Sequence, residues 1–286
     1  MELLKTVAEV RRWARERREQ KQRIGFVPTM GYLHEGHLAL ARRARERCDA
    51  VIMSIFVNPT QFGPREDFAS YPRDLERDLR LAEEVGVDAV FAPEVEEMYP
   101  PGYSTYVEVE GVTEVLCGAS RPGHFRGVAT VVTKLLNIVQ PDEAFFGQKD
   151  YQQSVVVRRM AADLNIPVEI ITVPTVREPD GLALSSRNKY LNEEERRQAL
   201  CLYRALKLGE EMILSGERRA EAVRQAMVEE ISRYPLARID YVSVNDAETL
   251  KPLKEISGRV LLAVAVWIGK TRLIDNLVVE GRRGKD

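Results

Sequence analysis

Histidine and cysteine are scarce in this chain, three of each in 286 residues. The three cysteines, Cys48, Cys117 and Cys201, lie far apart and form no CxxC pair. That spacing argues against a disulfide framework and against a zinc site, and fits a reducing cytoplasm. No apolar run approaches the roughly 20 residues that a membrane span needs; the longest, "VLLAVAVWIG" at 260–269, reads as a buried strand. Charge of one sign is lacking too. With a formal net charge of -2, the chain as a whole does not point to nucleic acid, although a small phosphate ligand can still meet a local cluster of cations.

What is present is the composition of a globular enzyme, 44% hydrophobic and 30% charged, which removes the disordered and fibrous classes. The length favours one large domain and a smaller one. The N-terminal stretch "MELLKTVAEVRRWARERREQKQR" carries Leu4, Val7, Val10 and Trp13 among charges, a surface helix rather than a signal peptide. Its basic residues from Arg11 to Arg23 alternate with Glu and read as a solvated face.

From "RIGFVPT" onward, strands and helices alternate. "EGHLALARRARERC" has helical periodicity and "DAVIMSIFVN" is β-branched, so the first three elements form a βαβ unit with parallel strands. "YPRDLERDLRLAEEVG" (helix) and "VDAVFAP" (strand) follow. After a strand expected at "STYVEVEG" come "GVATVVTKLLNIVQP" (helix), "DEAFFG" (strand), "DYQQSVVVRRMAADLNI" (helix) and "PVEIITVPTV" (strand). The expected fold is α/β, a Rossmann-like, mostly parallel, doubly wound sheet over residues 1–177. Past Val176, two helices at "LNEEERRQALCLYRALKLGEEMILSG" and "ERRAEAVRQAMVEEISRY" precede the strands "ARIDYVSVND", "GRVLLAVAVWIG" and "TRLIDNLVVE". Helices followed by a run of strands predict a second, smaller α+β domain over residues 178–286.

Two of the three histidines, His34 and His37, fall together in "FVPTMGYLHEGHLAL". The segment follows the first strand of the βαβ unit and leads into its helix, where open parallel sheets bind ligands. Helix N-termini offer free N–H groups to phosphate. Two imidazoles three residues apart lie on one face and can donate to phosphate oxygens, and Gly36 between them allows close backbone approach. Histidine at a helix start also serves as a plain cap, and whether these rings are charged or neutral is not decided by sequence.

HxGH after a first strand resembles the signature of the nucleotidylyltransferase and class I aminoacyl-tRNA synthetase superfamily. Within it, "PTMGYLHEGH", "FVNPTQFG", "YPRD", "RPGHFRGVATVV", "FFGQKDYQQ" and "VREPDGLALSSRN" resemble the pantoate–β-alanine ligases, in order from residue 28 to 188. Two positions depart from the common pattern: Gln148 stands where many members have Glu, and Leu184 where many have Met. Both are near-isosteric and remove no cation or hydroxyl, but no role of a Glu carboxylate carries over.

The resemblance implies a two-step ligase of the pantothenate and coenzyme A route. Pantoate attacks the α-phosphate of ATP to give pantoyl adenylate and pyrophosphate, and β-alanine then displaces AMP. By resemblance the catalytic residues are His37, His34 and Lys149, with His37 labelled the proton donor. ATP would be met by Met30, Gly31, His34, His37, Gly147, Lys149, Asp150 (ribose hydroxyls), Val176 (adenine), Leu184, Ser185, Ser186 and Arg187, the last three closing from the second domain. Lysine is a point charge and arginine a fork, both suited to phosphate. Gln61 and Gln153 can each donate and accept, which suits the hydroxyls of pantoate. Pro28, Met30, Phe62 and Val131 or Val132 can pack its dimethyl group, or serve as ordinary core. His124, with Arg121 and Arg126, is expected to line or cover the site.

Mg2+ is expected with ATP. Asp78 is its protein candidate by resemblance, and reads equally as a solvated helix carboxylate. A cytoplasmic homodimer, with neither nucleic acid nor membrane as partner, completes the expectation. Two other readings stay open: an HxGH enzyme that transfers a nucleotidyl group to a phosphate acceptor, and a non-catalytic nucleotide-binding module.

Overall fold

The computed structural model describes residues 1–64 and 66–281. The chain divides into two compact units. The first comprises Met1–Glu110, Arg121–Gln148 and Gln153–Pro174, and the second comprises Gly111–Ser120, Lys149–Gln152 and the chain from Thr175 onward. The division is therefore not a single cut. Two short excursions from the sequence before Thr175 belong to the second unit, and one of them holds Lys149 and Asp150.

In the first unit, strands β1 (Glu2–Leu4), β2 (Ile24–Thr29), β3 (Ala50–Ile55), β4 (Ala89–Phe91), β5 (Glu143–Gly147) and β6 (Glu169–Val173) form one sheet in the order β1-β4-β3-β2-β5-β6. Every pairing is parallel. Chain order runs outward from β2 in both directions, so the sheet switches direction between β2 and β5, where a ligand crevice forms in such folds. The inner strands are buried almost throughout, as covered parallel strands must be. The helix Glu35–Arg47 turns Leu38, Leu40, Ala41 and Ala44 inward and leaves arginines outside; these side chains pack with Val27, Val51, Met53 and Phe145.

In the second unit, β7 (Ala237–Asp246), β8 (Arg259–Ile268) and β9 (Thr271–Glu280) form an antiparallel sheet with β8 in the middle. The helices Cys201–Leu214 and Ala220–Ser232 cover it through Leu202, Leu206, Val223 and Met227. All three cysteines are free and buried. Burial pushes the Cys48 thiol up to about 11 and the Cys201 thiol up to about 12, which leaves both unreactive.

Three expectations differ from the structure. "STYVEVEG" is not a strand: Val107 and Val109 turn inward in alternation, but the Val107 N–H is taken by the Thr130 hydroxyl (2.9 Å) and not by a ladder partner. The single helix expected at "LNEEERRQALCLYRALKLGEEMILSG" is two helices, Glu193–Gln198 and Cys201–Leu214, although Ala199 and Leu200 keep helical φ values of -58° and -62°. β1 is an added edge strand of only 3 residues, too short to show a period.

Leu262 in β8 is fully buried in the second core. Leu262→Ala is expected to cost about 2–5 kcal/mol, read as a lowered urea midpoint; an unchanged midpoint would contradict this packing.

Candidate active site

The end of β2 is tied to its neighbour before the chain turns. The Thr29 hydroxyl donates to the Ser54 carbonyl (2.7 Å) and accepts from the Gly31 N–H (3.1 Å). Gly31 and Tyr32 then take φ values of +82° and +50°. A Cβ on Gly31 would lie 2.9 Å from Ile55 Cγ2 and 3.0 Å from Asp78 Oδ2, so glycine is required there for space as well as for φ. Asp78, on the helix Leu75–Glu84 and 1% exposed, accepts from the Tyr32 N–H (2.6 Å) and the Leu33 N–H (2.7 Å), one carboxylate oxygen to each. Burial pushes this carboxyl above the ordinary Asp value, although the two amides and Arg77 pull the other way.

His34 is the N-cap of the helix Glu35–Arg47. Its Nδ1 accepts from the Gly36 N–H (3.1 Å), and the Nδ1 of His37 accepts from the His34 N–H (3.3 Å). This is a capping box made of imidazoles, in the places usually taken by Ser or Thr and Glu. An Nδ1 that accepts a backbone N–H carries no proton, so each ring is the neutral tautomer with its proton on Nε2. The rings stack with centroids 4.0 Å apart and 28° between planes, an arrangement that suits two neutral rings better than two cations. The first helix turn thus presents two Nε2–H donors at its positive end, a place and a chemistry suited to phosphate.

Gln61 follows β3 and is buried. Asn58 Nδ2 donates to Gln61 Oε1 (3.0 Å) and to the Gly127 carbonyl (3.2 Å), and Asn58 Oδ1 accepts from the Tyr99 hydroxyl (2.8 Å). Burial pushes Tyr99 up to about 12, which keeps that phenol a donor. The side-chain amide of Gln61 is thereby oriented with its NH2 toward the Met30 thioether, 3.2 Å away. Met30 and Gln61, from different loops, are brought together, and the thioether is a weak acceptor that leaves the NH2 with donor capacity.

His124 and Arg121 act one step behind. His124 Nδ1 lies 2.9 Å from the Gln61 carbonyl and Nε2 lies 3.0 Å from Arg121 Nη1. A carbonyl only accepts and a guanidinium only donates, so this ring is the opposite tautomer, with its proton on Nδ1. Arg121 also pairs with Glu66 (2.7 Å). Burial pushes Glu66 up, but the Arg121 guanidinium and the Gly63 N–H more than offset it and hold the carboxylate below its ordinary value. Arg126 is exposed, over the Tyr106 ring. Gln153 is half-buried on its helix, Val131 and Val132 are core, and Phe62 packs against Phe68 and Tyr71. Gly147, at the end of β5, has open space where a Cβ would be.

The second unit gathers its own set. Val176 and Leu184 face each other across a hairpin, Leu184 N–H donating to the Val176 carbonyl (3.0 Å) beside an Arg177–Ala183 bridge. The next residue, Ser185, caps the turn through the Arg187 N–H (3.3 Å), and Ser186 is buried. Arg177 grips the buried Asp275 (2.6 and 2.9 Å), and its neighbour Asn276 donates to the backbone carbonyl of Lys149 (2.8 Å). Burial pushes Asp275 up, while Arg177 first and Lys149 last pull it down. Asp150 is exposed. The supporting residues Asn58, Tyr99, Asp275 and Asn276 were not singled out from sequence, since an Asn or Asp inside a loop or strand has no pattern to mark it.

Asp78, expected as a magnesium ligand, has both oxygens engaged by the loop before His34. Among the described residues, no group of three or more His, Cys, Asp or Glu side chains is arranged to hold a metal ion, and no helix is long and apolar enough to cross a membrane.

The family described as pantoate-beta-alanine ligase matches residues 2–278. A pantothenate synthetase of Moorella thermoacetica is 70% identical over 280 residues, 98% of this chain and 99% of that protein. The crystal structure of pantothenate synthetase from Thermus thermophilus superposes with a TM-score of 0.93 at 52% identity, over 97% of this chain and 99% of that one. The pantoate-beta-alanine ligase of Francisella tularensis, complexed with beta-gamma ATP and beta-alanine, gives 0.79 at 36% identity over 97% of each chain.

A Cβ on Gly127 would stand 2.4 Å from the Thr60 carbonyl oxygen and 2.6 Å from the Gln61 N. Gly127→Ala must therefore push the helix His124–Val139 off the Gln61 turn, at a cost of about 1–3 kcal/mol; a wild-type urea midpoint would contradict the close approach.

Proposed function

Because the chain belongs to the pantoate–β-alanine ligase family, we propose that it joins pantoate to β-alanine with ATP by way of a pantoyl adenylate, and that the residues above divide the work. A pantoate carboxylate oxygen bonds to the α-phosphorus as the bond to pyrophosphate breaks. The β-alanine amine then bonds to the acyl carbon as AMP leaves, and the amine gives up a proton. The first step loads negative charge onto the transferring and leaving phosphates, and fixed donors aimed there lower its barrier.

The observation that carries this reading is the pair of Nε2–H donors at the helix N-terminus. His34 and His37 would stabilise the phosphates as neutral hydrogen-bond donors. Met30 and Gly31 shape the turn that presents them, and Gly147 leaves room beside β5. Gln61, whose NH2 donates to the weak thioether acceptor of Met30, is assigned to pantoate, as is Gln153. Lys149, Asp150, Val176, Leu184, Ser185, Ser186 and Arg187 are assigned to ATP by their match to the family motifs.

ATP would bring Mg2+ with it, and phosphate oxygens and water would then supply most of the metal's ligands, so that few protein ligands would be needed. The described residues fit that arrangement and not a preformed cage. A homodimer is proposed on family membership, and a cytoplasmic location on the three unpaired cysteines.

ATP/pyrophosphate exchange with purified protein, Mg2+ and no β-alanine tests the reading. Exchange should require pantoate, and added β-alanine should then release AMP; exchange without pantoate would favour nucleotidyl transfer to another acceptor. His37→Ala and Lys149→Ala should each lower the exchange rate at least about 10²-fold, and wild-type rates in either would refute its role. Gln61→Ala should chiefly raise the pantoate concentration needed; an unchanged pantoate dependence would remove that assignment.

A further inference from the structure

Asp78 is an acid that the reaction above does not use, yet it is buried to 1% exposure with its negative charge directed at backbone. Its closest cation is Arg77, at 3.4 Å and itself over the Tyr32 ring. A buried carboxylate is retained when its oxygens are well satisfied, and here the partners are the amides of Tyr32 and Leu33, the two residues immediately before the N-cap. Both amides lie in a turn that begins with two consecutive positive φ values, at Gly31 and Tyr32. For Tyr32 that conformation is unfavourable on its own and persists only where surrounding contacts hold it. The Asp78 carboxylate is that contact: it rewards the two N–H groups for pointing the same way.

Resting on the ligase reading above, we propose that Asp78 is a positioning residue for the adenylation step: by clamping Tyr32 and Leu33 it fixes where His34 begins the helix, and so aims both imidazole donors. The chain of contacts is continuous. Asp78 holds the amides at 32 and 33, His37 holds the amide at 34, and His34 holds the amide at 36. Loss of the clamp frees the turn to relax away from positive φ. The rings would then move with their backbone, and misplacement on the ångström scale costs about 10²-fold in a positioned reaction.

Two variants test this. Asp78→Asn keeps the shape but sets an NH2 donor against one of the two N–H groups. Gly31→Ala disturbs the same turn from the other side, through the 2.9 and 3.0 Å approaches to Ile55 and Asp78. Pantoate-dependent exchange is measured for each against pantoate and against Mg2+, with thermal unfolding and the ring ¹⁵N signals of His34 and His37 recorded alongside. The expected result is a kcat lowered about 10- to 100-fold, pantoate KM and the Mg2+ half-saturation unchanged, and His34 and His37 signals shifted. A Mg2+ half-saturation raised severalfold in Asp78→Asn, with rate recovered at high Mg2+, would overturn the proposal in favour of a metal ligand. A lowered Tm with wild-type kcat at a temperature where the protein is folded would overturn it in favour of a purely structural role. Should Asp78→Asn not fold, Gly31→Ala decides by the same readouts. If wild type itself shows no pantoate-dependent exchange, the ligase reading fails, and the ring signals still report whether the clamp sets the histidines.

Discussion

The first turn of any helix has backbone N–H groups with no partner inside the helix, and something must accept from them. In this protein the acceptors at the turn after β2 are the side chains to which the proposed chemistry is assigned. His34 and His37 accept at Nδ1, which leaves Nε2–H as the only proton on each ring. One constraint, the satisfaction of a few amides, thereby sets the fold of the turn, the tautomer of both rings and the direction of their donors. An Asp cap would satisfy the same amides and leave no proton to offer a phosphate.

Two buried carboxylates, one in a strand and one on a helix beside the same sheet, show how place decides role. Glu143, fully buried at the start of β5, meets Arg23 and Arg47. That end of the strands lies opposite the loops of the proposed site, and the network there ties β5 to the segment before β2 and to the end of the helix Glu35–Arg47. Asp78 sits near the other end, beside Ile55 and Gly31, and meets two backbone amides more closely than it meets the Arg77 guanidinium. Charge neutralisation holds the base of the sheet, while hydrogen bonding to backbone shapes its working edge. The supports of Gln61 follow the second pattern: Asn58, His124 and Tyr99 hold atoms in orientation and add little net charge.

Much of this was legible in the sequence because it repeats with a period or concentrates rare residues. The apolar runs at 50–55 and 260–268 and the apolar stripe at 38, 41 and 44 predicted their elements, and two of only three histidines three residues apart marked the turn on which the proposed site is built. Three residues of β1 carry no period, and "STYVEVEG" alternates as a strand does but finds no ladder partner. Asp78 looked like any acid on a helix, since its two partners are backbone amides 45 and 46 positions earlier. The tautomers were out of reach for the same reason. They depend on which nitrogen meets which backbone group, and composition does not encode that. The excursion that puts Lys149 in the second unit follows from Asn276, 127 residues away, holding its carbonyl.

The central claim is that backbone amides lock His34 and His37 as neutral Nε2–H donors. Three histidines in the whole chain make it directly measurable by long-range ¹H–¹⁵N correlation of the imidazole rings at neutral pH, assigned with single His→Gln variants. The account predicts two rings protonated only at Nε2, those of His34 and His37, and one protonated at Nδ1, that of His124. An imidazolium, or an Nδ1–H tautomer, at His34 or His37 would contradict it.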